Sequence, residues 1–492
     1  MLRATGMARV LWRALLLASL SMAVALPVHA QAPDVNPVPD AEPAAGTVVA
    51  TDAPEAIGLP PYVGVSDSGE LILTPETSAR WAAERNTQVR IQEETVPEAE
   101  GRLRQADAAD GLTVGLSGAA IFMGPVSEVT LPGGEGEEPA TFQVSPDQQY
   151  QATISARKPL YTGGRSGLGE DIAREGIDIA RAGTDIARLS VSQGARTAGY
   201  GVLRAVQLAG VAAAQVTAIA EHVSNAEALE EAGVVAHFDV VQARTELARA
   251  QEQLITAQTA IEQTKAQLRQ LLALPQGCPL QIVDPPPPGM PAGDLPEIID
   301  IAQADRPEVQ TSAIALRIAE LNRKLAGRSR AASVALTGSY SRQSSGAGLS
   351  SNDYNWQVGV VAEKPILDGG RKRGEVITAD AQVAQAELGL QQAQERVALE
   401  VVQAWLAVQE AEERIVTANQ GLVEARERRR MAQLRYREGL AAGIEVIDAD
   451  TALAAAEASL VNAEYDRQLA VTRLRSAMGI TMAEPQQEVE GQ

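Results

Sequence analysis

The sequence predicts a mainly α-helical protein with a transmembrane β-barrel, built from a duplicated unit of two strands, one long helix and a second helix. The first observation is a repeated phrase: KPLYTGGRSG begins at Lys158 and KPILDGGRKRG begins at Lys364, 206 residues later. Two segments with alternating apolar and polar residues precede each phrase, and a proline-free run of about 60 residues follows it. Because internal repetition marks repeated structural units, the chain is expected to fold as two similar halves.

The beginning of the chain has the pattern of a signal peptide. Three arginines precede an apolar run over residues 14–26, and Val28-His29-Ala30 supplies a cleavage site with small residues. A membrane anchor would need about twenty apolar residues, and this run is shorter. The only cysteine, Cys278, lies far from the cleavage site, so no lipid attachment is expected at the mature N-terminus. The chain is therefore predicted to be exported.

Composition shifts and the repeat divide the chain into six predicted parts. Residues 31–68 are rich in proline, alanine and acidic residues and have no periodicity, which is typical of a flexible extension. The parts are a signal peptide (1–30), the N-terminal extension (31–68), a first repeat (69–278), a Pro-rich linker (279–296), a second repeat (297–482) and a C-terminal tail (483–492).

The two copies differ by an insertion in the first. Downstream of the phrases the offset stays at 206, with Asp239 answering Glu445, but upstream it is 220, with Val114 answering Val334. The difference of 14 residues places an insertion between residues 118 and 158, where LPGGEGEEP is predicted to form a surface loop. Each copy is expected to open with one short helix, at about 78–105 and about 298–327.

Four segments have the period-2 alternation of half-buried strands, and they are predicted at about 112–122, 148–158, 333–343 and 353–364. Aromatic residues make up 3% of the chain, yet several fall in these segments, as the aromatic belts of an outer-membrane barrel require. A pair of soluble amphipathic hairpins would show the same alternation. The predicted membrane-interface aromatics are Tyr150, Tyr340, Tyr354 and Trp356.

Long helices are predicted over about 166–229 and 371–436, and shorter returning helices over about 238–272 and 444–478. A helix of about 60 residues is about 90 Å long, which suits a coiled coil or a tube rather than a globular domain. The repeated phrase is interpreted as the joint between strand and helix, since proline ends a strand ladder and glycine permits a sharp change of direction. The joint residues are Pro159, Gly163, Gly164, Pro365, Gly369 and Gly370.

Two halves supply four strands, whereas closed membrane barrels begin at eight. Unpaired backbone groups at an open sheet edge cost several kcal/mol each in lipid. The barrel must therefore be shared between copies of the chain, and a dimer with eight strands and a trimer with twelve are both allowed.

Two copies of strand, strand, KP(L/I)xxGGR, long helix, (A/E)G and helix resemble the TolC family of outer-membrane factors over roughly residues 70–482. The resemblance implies a homotrimer whose twelve-stranded barrel, four strands per chain, sits in outer-membrane lipid and continues into a periplasmic α-helical tunnel. It further implies a passive exit duct of a tripartite efflux pump or type I secretion system. The implied partners are a periplasmic adaptor (membrane fusion protein) and an inner-membrane transporter.

Members of this family carry acidic residues at the periplasmic tip of the tunnel, and the matching positions here are Glu445 and Asp448. Spaced i, i+3, they share one helix face. Acids in a first helical turn are also favoured by the helix dipole alone, so that alternative stays open. Some members have a basic residue where this chain has Ala441, which leaves the gating contacts undetermined. The gate-adjacent candidates are Asp239, Arg244, Tyr436 and Arg437.

No catalytic or metal-binding constellation is evident. His222 and His237 lack metal-ligand spacing, and Gly163-Gly164 lacks the Lys and Ser or Thr of a phosphate-binding loop. A net charge of −21 argues against nucleic acid as a partner. We therefore expect neither an enzyme nor a cofactor. The alternative is a periplasmic adaptor or other soluble coiled-coil scaffold, and the transported substrate is not specified by the sequence.

Overall fold

A computed structural model describes residues 60, 62–66, 69–125, 128–131, 140–143, 148–345 and 353–479. The predicted signal peptide, nearly all of the predicted extension and the C-terminal tail lie outside these residues. The helices are α1 (Pro75–Arg85), α2 (Thr87–Glu93), α3 (Thr95–Ala108), α4 (Arg165–Glu231), α5 (His237–Leu271), α6 (Leu295–Asp305), α7 (Pro307–Gly327), α8 (Arg371–Arg437) and α9 (Gly443–Ala477). The strands are β1 (Gly64–Val65), β2 (Leu71–Leu73), β3 (Thr113–Phe122), β4 (Glu128–Leu131), β5 (Ala140–Gln143), β6 (Gln148–Tyr161), β7 (Leu280–Ile282), β8 (Ser333–Ser345) and β9 (Asp353–Glu363).

The duplicated long helices are the largest feature of the fold. Helices α4 and α8 have 67 residues each, so each is about 100 Å long. Helices α5 and α9 have 35 residues each and return about half that distance. The prediction of long helices and strands in repeated units is thus confirmed, and the bounds of the four helices lie within two residues of the predicted ones.

Four strands form one antiparallel sheet in the order β3-β6-β8-β9, with β3 and β9 at its edges. One row across the sheet joins Leu116, Ile154, Tyr340 and Trp356 as successive register partners. Because side chains alternate along a strand, these apolar residues share one face of the sheet. The opposite face carries polar residues of the neighbouring rows, among them Ser117, Thr153, Ser339, Ser341 and Gln357.

The middle of the helical region is thickened by a small sheet and by the short helices. Strands β1, β2 and β7 form a three-stranded sheet, in which β2 and β7 run parallel. Its Leu71 and Leu280 pack with Trp81 of α1 and Leu268 of α5 in one hydrophobic core. The predicted extension and Pro-rich linker therefore differ from the structure, because each contributes a strand to this sheet.

Where one helix was expected at 78–105, the structure has three (α1, α2 and α3), and where one was expected at 298–327, it has two (α6 and α7). Extended backbone separates α1 from α2 at Asn86 and α6 from α7 at Arg306, where Pro307 disfavours a helical conformation. Between α2 and α3, Glu94 keeps a helical backbone. Asn86 and Arg306, 220 apart, perform the same task. Asn86 donates to the carbonyl of Leu271 at 2.8 Å, and Arg306 donates to the carbonyl of Ser476 at 3.1 Å. Each thereby caps the end of a returning helix.

The insertion in the first copy also differs from the expected loop. Strands β4 and β5 pair antiparallel, and the hydroxyls of Thr130 and Thr141 lie 3.0 Å apart across them. Most of LPGGEGEEP lies outside the described residues, between these two strands.

The joints place paired glycines between strand and helix. Gly163 and Gly164 have φ of 69° and 73°, and Gly369 and Gly370 have φ of 63° and 91°. The expectation that proline ends the strand does not hold at Pro159, since β6 continues to Tyr161. The ladder with β8 instead shifts register between Pro159 and Tyr161, which is how a strand accommodates a residue without an N–H group.

Replacing Gly163 by alanine is expected to destabilise the protein. A Cβ at Gly163 would overlap the Cβ of Ala331, and the left-handed backbone disfavours any side chain. Overpacking costs about 1–3 kcal/mol and the left-handed conformation about 1–2 kcal/mol. Chemical unfolding in detergent, followed by helical circular dichroism, measures the change.

The matched control is Gly167→Ala, two residues into α4, where a Cβ meets nothing within 4 Å among the described residues. That change should leave stability equal or raise it by up to about 1 kcal/mol, since alanine favours a helix. Equal stability of the two variants would show that the joint does not require glycine.

Candidate channel gate at the helix tips

The two helix breaks lie at the same end of the molecule. The chain turns between α4 and α5 at Gly233 and between α8 and α9 at Gly439, both with positive φ. Leu229 of the first hairpin packs against a hydrophobic cluster of the second that includes Tyr436, and Val223 belongs to one cluster with Ile447. We call residues 222–250 and 429–450 the tip region. It lies at the opposite end of α4 and α8 from the β3-β6-β8-β9 sheet, whose strands are those predicted to cross the membrane and which we call the membrane sheet.

Glu445, a predicted gate residue, is paired within its own hairpin. Nη1 of Arg435 lies 3.0 Å from a carboxylate oxygen of Glu445, and Nη2 of the same arginine donates to the carbonyl of Leu440 at 3.4 Å. Arg435 therefore places a positively charged side chain at this turn, where residue 441 is an alanine and not a basic residue. Asp448, one turn further along α9, is exposed. The tip thus presents one paired acid and one exposed acid on the same helix.

Asp450 is a functional candidate that the sequence analysis missed. Its side chain is 2% exposed and accepts a hydrogen bond from Nε of Arg429 at 2.6 Å, while Oδ2 is buried without a hydrogen-bond partner among the described atoms. Burial raises the pKa of Asp450, and the attraction of Arg429 and of His222 opposes that rise. The spacing of Val446, Ile447, Asp450 and Leu453 places Asp450 on the buried face of α9, a signal that could have identified it.

Tyr436 and His222 form a buried aromatic pair that joins the two hairpins. Their ring centroids lie 5.1 Å apart. A Cβ at Gly443 would lie 3.4 Å from Nε2 of His222 and 3.7 Å from the ring of Tyr436, so a glycine there lets α9 begin against both rings. Burial raises the pKa of Tyr436, and nearby Asp239 raises it further. Burial lowers the pKa of His222, opposed by Asp450 and Asp239.

The other gate-adjacent candidates occupy less central positions. Arg244 binds Glu227 at 2.6 Å, so it ties α5 to α4 and does not pair with Asp239 in this conformation. Arg437 is exposed at the end of α8. Across the described part of the chain, no group of three or more His, Cys, Asp or Glu residues could hold a metal ion.

The predicted interface aromatics lie on the membrane sheet. Tyr150, Tyr340, Tyr354 and Trp356 are 48%, 43%, 70% and 67% exposed. Phe122, which the sequence analysis did not single out, packs edge-on against Tyr150 with ring centroids 6.3 Å apart. These residues belong to the half of the sheet that lies away from the helices. Tyr161, also missed and 57% exposed, marks the end next to the joint.

Comparison with known proteins places this architecture in a family. The family profile described as "Outer membrane efflux protein" matches residues 80–274 and 298–480, the two halves of the chain. The sequence matches none of the curated proteins with which it was compared.

Several solved structures share the fold. The structure of CusC matches with a TM-score of 0.68 at 20% identity, over 82% of this chain and 92% of CusC. VceC from Vibrio cholerae matches with a TM-score of 0.65 at 19% identity, over 82% and 96% of the two chains. The Campylobacter jejuni CmeC outer membrane channel matches with a TM-score of 0.66 at 16% identity, over 82% and 85%.

The family profile covers well over half of the chain, and both of its segments coincide with the repeats that carry the sheet and the long helices. Membership in a family of channels also confirms the expectation that the protein is not an enzyme. The chain belongs to the outer membrane efflux protein family, the TolC-like channels of the outer membrane.

Proposed function

We propose that three copies of this chain close one twelve-stranded barrel in the outer membrane, and that their long helices form a tunnel through the periplasm. The observation that carries this proposal is the membrane sheet, whose edge strands β3 and β9 have no partner on their outer sides within the described chain. In hydrocarbon each unpaired backbone group costs several kcal/mol. Four strands cannot close a barrel alone, and the family resemblance favours twelve over eight.

The sheet has the dimensions and faces of a membrane barrel. Strand β3 has 10 residues, about 33 Å of extended chain. With the usual tilt of about 40°, this spans about 25 Å, the height of the apolar band of an outer-membrane barrel. Leu116, Val358 and Val360 on the apolar face are 70%, 69% and 63% exposed in the single chain. We infer that this face contacts lipid and that the polar face lines the channel.

The long helices also have surface for neighbouring copies to cover. One stretch of α4 is apolar and long enough to cross a membrane, and 22% of it is buried within the chain. The same helix begins at the strand-to-helix joint and ends at the tip region, so a membrane crossing would separate two parts of one continuous hairpin. Packing against another copy in a tunnel wall accounts for this stretch instead.

As a tunnel the protein would be the passive exit duct of a tripartite efflux pump or type I secretion system. Helices of about 100 Å reach far from the membrane, towards a periplasmic adaptor and an inner-membrane transporter. The chain itself would supply the conduit, and its partners the energy and the choice of substrate. The alternative of a soluble adaptor or scaffold is disfavoured by membership in a channel family.

We infer that Glu445 and Asp448 form the selectivity ring at the periplasmic end of the tunnel. Both belong to the first turns of α9, and a trimer brings six such carboxylates together. Rings of carboxylates favour cations. The ion pair from Arg435 offsets Glu445 in the present conformation, which leaves Asp448 as the stronger contributor to the field in the pore.

Removing both acids (Glu445→Ala with Asp448→Ala) is expected to raise single-channel conductance or to lower cation selectivity in planar bilayers. Asp448→Ala alone should lower selectivity more than Glu445→Ala alone, because Glu445 is already paired with Arg435. Reversal potentials in a salt gradient measure selectivity, and the conductance of single channels measures the constriction.

The control for this experiment is Glu410→Ala, which removes an acid that is 72% exposed on α8, well away from the tip region. It should change neither quantity. Unchanged conductance and selectivity in a correctly assembled double variant would reject the ring while leaving the duct intact.

The packing of the tip region is expected to weaken in acid through His222. Its pKa is lowered by burial, so the stability contributed by the neutral ring is complete above the ordinary histidine pKa of about 6.5. That stability is lost as the pH falls from there through the lowered pKa. The facing titratable groups are Tyr436, Asp450 and Asp239, and the raised pKa of Asp450 acts in the opposite direction.

Hydrogen exchange of residues 436–450, compared at pH 7.5 and pH 5.5 after correction for intrinsic rates, measures this effect. His222→Phe should reduce the increase in exchange at pH 5.5. His237→Phe is the matched control, because that histidine is 74% exposed beside Glu230. An equal increase in the His222→Phe and wild-type proteins would contradict the assignment.

A further inference from the structure

The turn that leads into β8 lies between the two strand-to-helix joints of the chain. Strand β8 sits between β6 and β9 in the membrane sheet. Near its beginning, Val334 is the register partner of Tyr161, where β6 ends. Ser333 is the register partner of Glu363, where β9 ends. Residues 328–331, which connect α7 to β8, therefore have one joint on each side, and we call them the clip turn.

Arg328 binds the first joint. Nη1 of its guanidinium donates to the carbonyl of Gly163 at 3.3 Å and to the carbonyl of Gly164 at 3.4 Å. Hydrogen bonds from a charged donor are stronger than those between neutral groups. Both glycines lie so close to the clip turn that an added Cβ would overlap Ala331 or the guanidinium of Arg328. The paired glycines therefore permit the approach of the turn as well as the change of chain direction.

Arg330, two residues later, binds the second joint. Its Nη2 donates to the carbonyl of Ile366, and its Nε lies 3.6 Å from a carboxylate oxygen of Asp368. Asp368 in turn accepts hydrogen bonds from the backbone N–H groups of Gly370 and Lys372, both at 3.2 Å. Because these two N–H groups belong to the N-cap and the first turn of α8, Arg330 is connected to the start of the long helix as well as to the loop before it.

We propose that Arg328 and Arg330 are positioning residues that fasten both joints to one turn, so that α4 and α8 leave the membrane sheet in a fixed arrangement. Neither helix can swivel about its paired glycines without moving the clip turn, and the clip turn is bonded to the other joint. All of these contacts lie within one chain, so they do not depend on the proposed assembly of several copies.

The length of the two helices makes a small swivel large at the tips. Helices α4 and α8 are each about 100 Å long. A rotation of about 5° at a joint would move the far end of such a helix by about 9 Å. This is about the distance between the axes of two packed helices. Fastening both joints to one turn reduces this source of disorder in the tip region, where the two hairpins meet.

The duplication supports the proposal independently. At the offset of 220, the residues equivalent to Arg328 and Arg330 are Ala108 and Asp110, so the first copy has neither arginine. Strand β3, which follows them, is at the edge of the sheet, so residues 108–111 adjoin a single joint of the chain. The two arginines are therefore present in the copy whose turn lies between two joints, and absent from the copy whose turn does not.

Hydrogen exchange of the protein in mild detergent tests whether the two joints are coupled. Arg330→Met removes the bonds to Ile366 and Asp368 but keeps a long side chain. We expect exchange to become at least fivefold faster in residues 366–374 and at least twofold faster in residues 162–168 of the other joint. Arg328→Met should have the reciprocal effect, which is larger in residues 162–168 and smaller in residues 366–374.

The matched control is Arg323→Met, which removes an ion pair between Arg323 of α7 and Asp380 of α8. It breaks the same kind of contact, but Asp380 lies ten residues beyond Gly370, about 15 Å along the helix. Exchange at both joints should stay as in the parent protein.

Two results would overturn the proposal. Faster exchange confined to the joint beside each substituted arginine would show that the joints are held separately. Exchange no faster than in the Arg323→Met protein would show that neither arginine holds a joint. If a methionine variant does not fold, Arg328→Lys and Arg330→Lys make the same comparison, because lysine keeps the charge but lacks the planar guanidinium that reaches two partners.

Discussion

Backbone groups along the two free edges of the membrane sheet are the constraint on which the rest of the structure depends. Each N–H or C=O that faces lipid without a partner costs several kcal/mol, and β3 and β9 present a row of them. A chain with only four strands can satisfy these groups by joining its edges to those of other copies. That requirement also explains the exposed apolar stretch of α4, since copies held together by a barrel bring their long helices side by side. In the proposed assembly, the tip region lies where the helices of all copies meet.

The two halves place different side chains at equivalent positions of the duplicated unit. Asn86 and Arg306 cap equivalent helix ends, one with an amide and the other with a guanidinium that also pairs with Glu308 and Glu400. Ala331 and Arg328 lie against the glycines of the first joint, whereas at the second joint Arg330 donates to the carbonyl of Ile366 and pairs with Asp368. The tips differ in the same way, because the first hairpin carries the Arg244–Glu227 pair while the second carries buried Asp450 and the Arg435–Glu445 pair.

Much of the fold could be predicted because its signals are local and repeated. The absence of proline over 60 residues and the period-2 alternation needed no tertiary information, and the repeat located the joints. The small β1-β2-β7 sheet was missed because its strands have two or three residues and join segments about 200 residues apart.

At the tips, Glu445 and Asp448 stood out as acids beside a helix break. Asp450 could have been identified from its position on the buried face of α9, whereas the roles of His222 and Arg435 arise from contacts between helices that no single segment encodes.

We propose that the chain completes its sheet with copies of itself in a membrane. Light scattering of the mature protein, extracted from the membrane fraction in mild detergent, tests it most directly. A trimer is expected to contain about 150 kDa of protein per particle, three chains of 51.8 kDa less the predicted signal peptide. A dimer of about 100 kDa would contradict the twelve-stranded barrel. A monomer that stays in solution without detergent would contradict the membrane sheet itself.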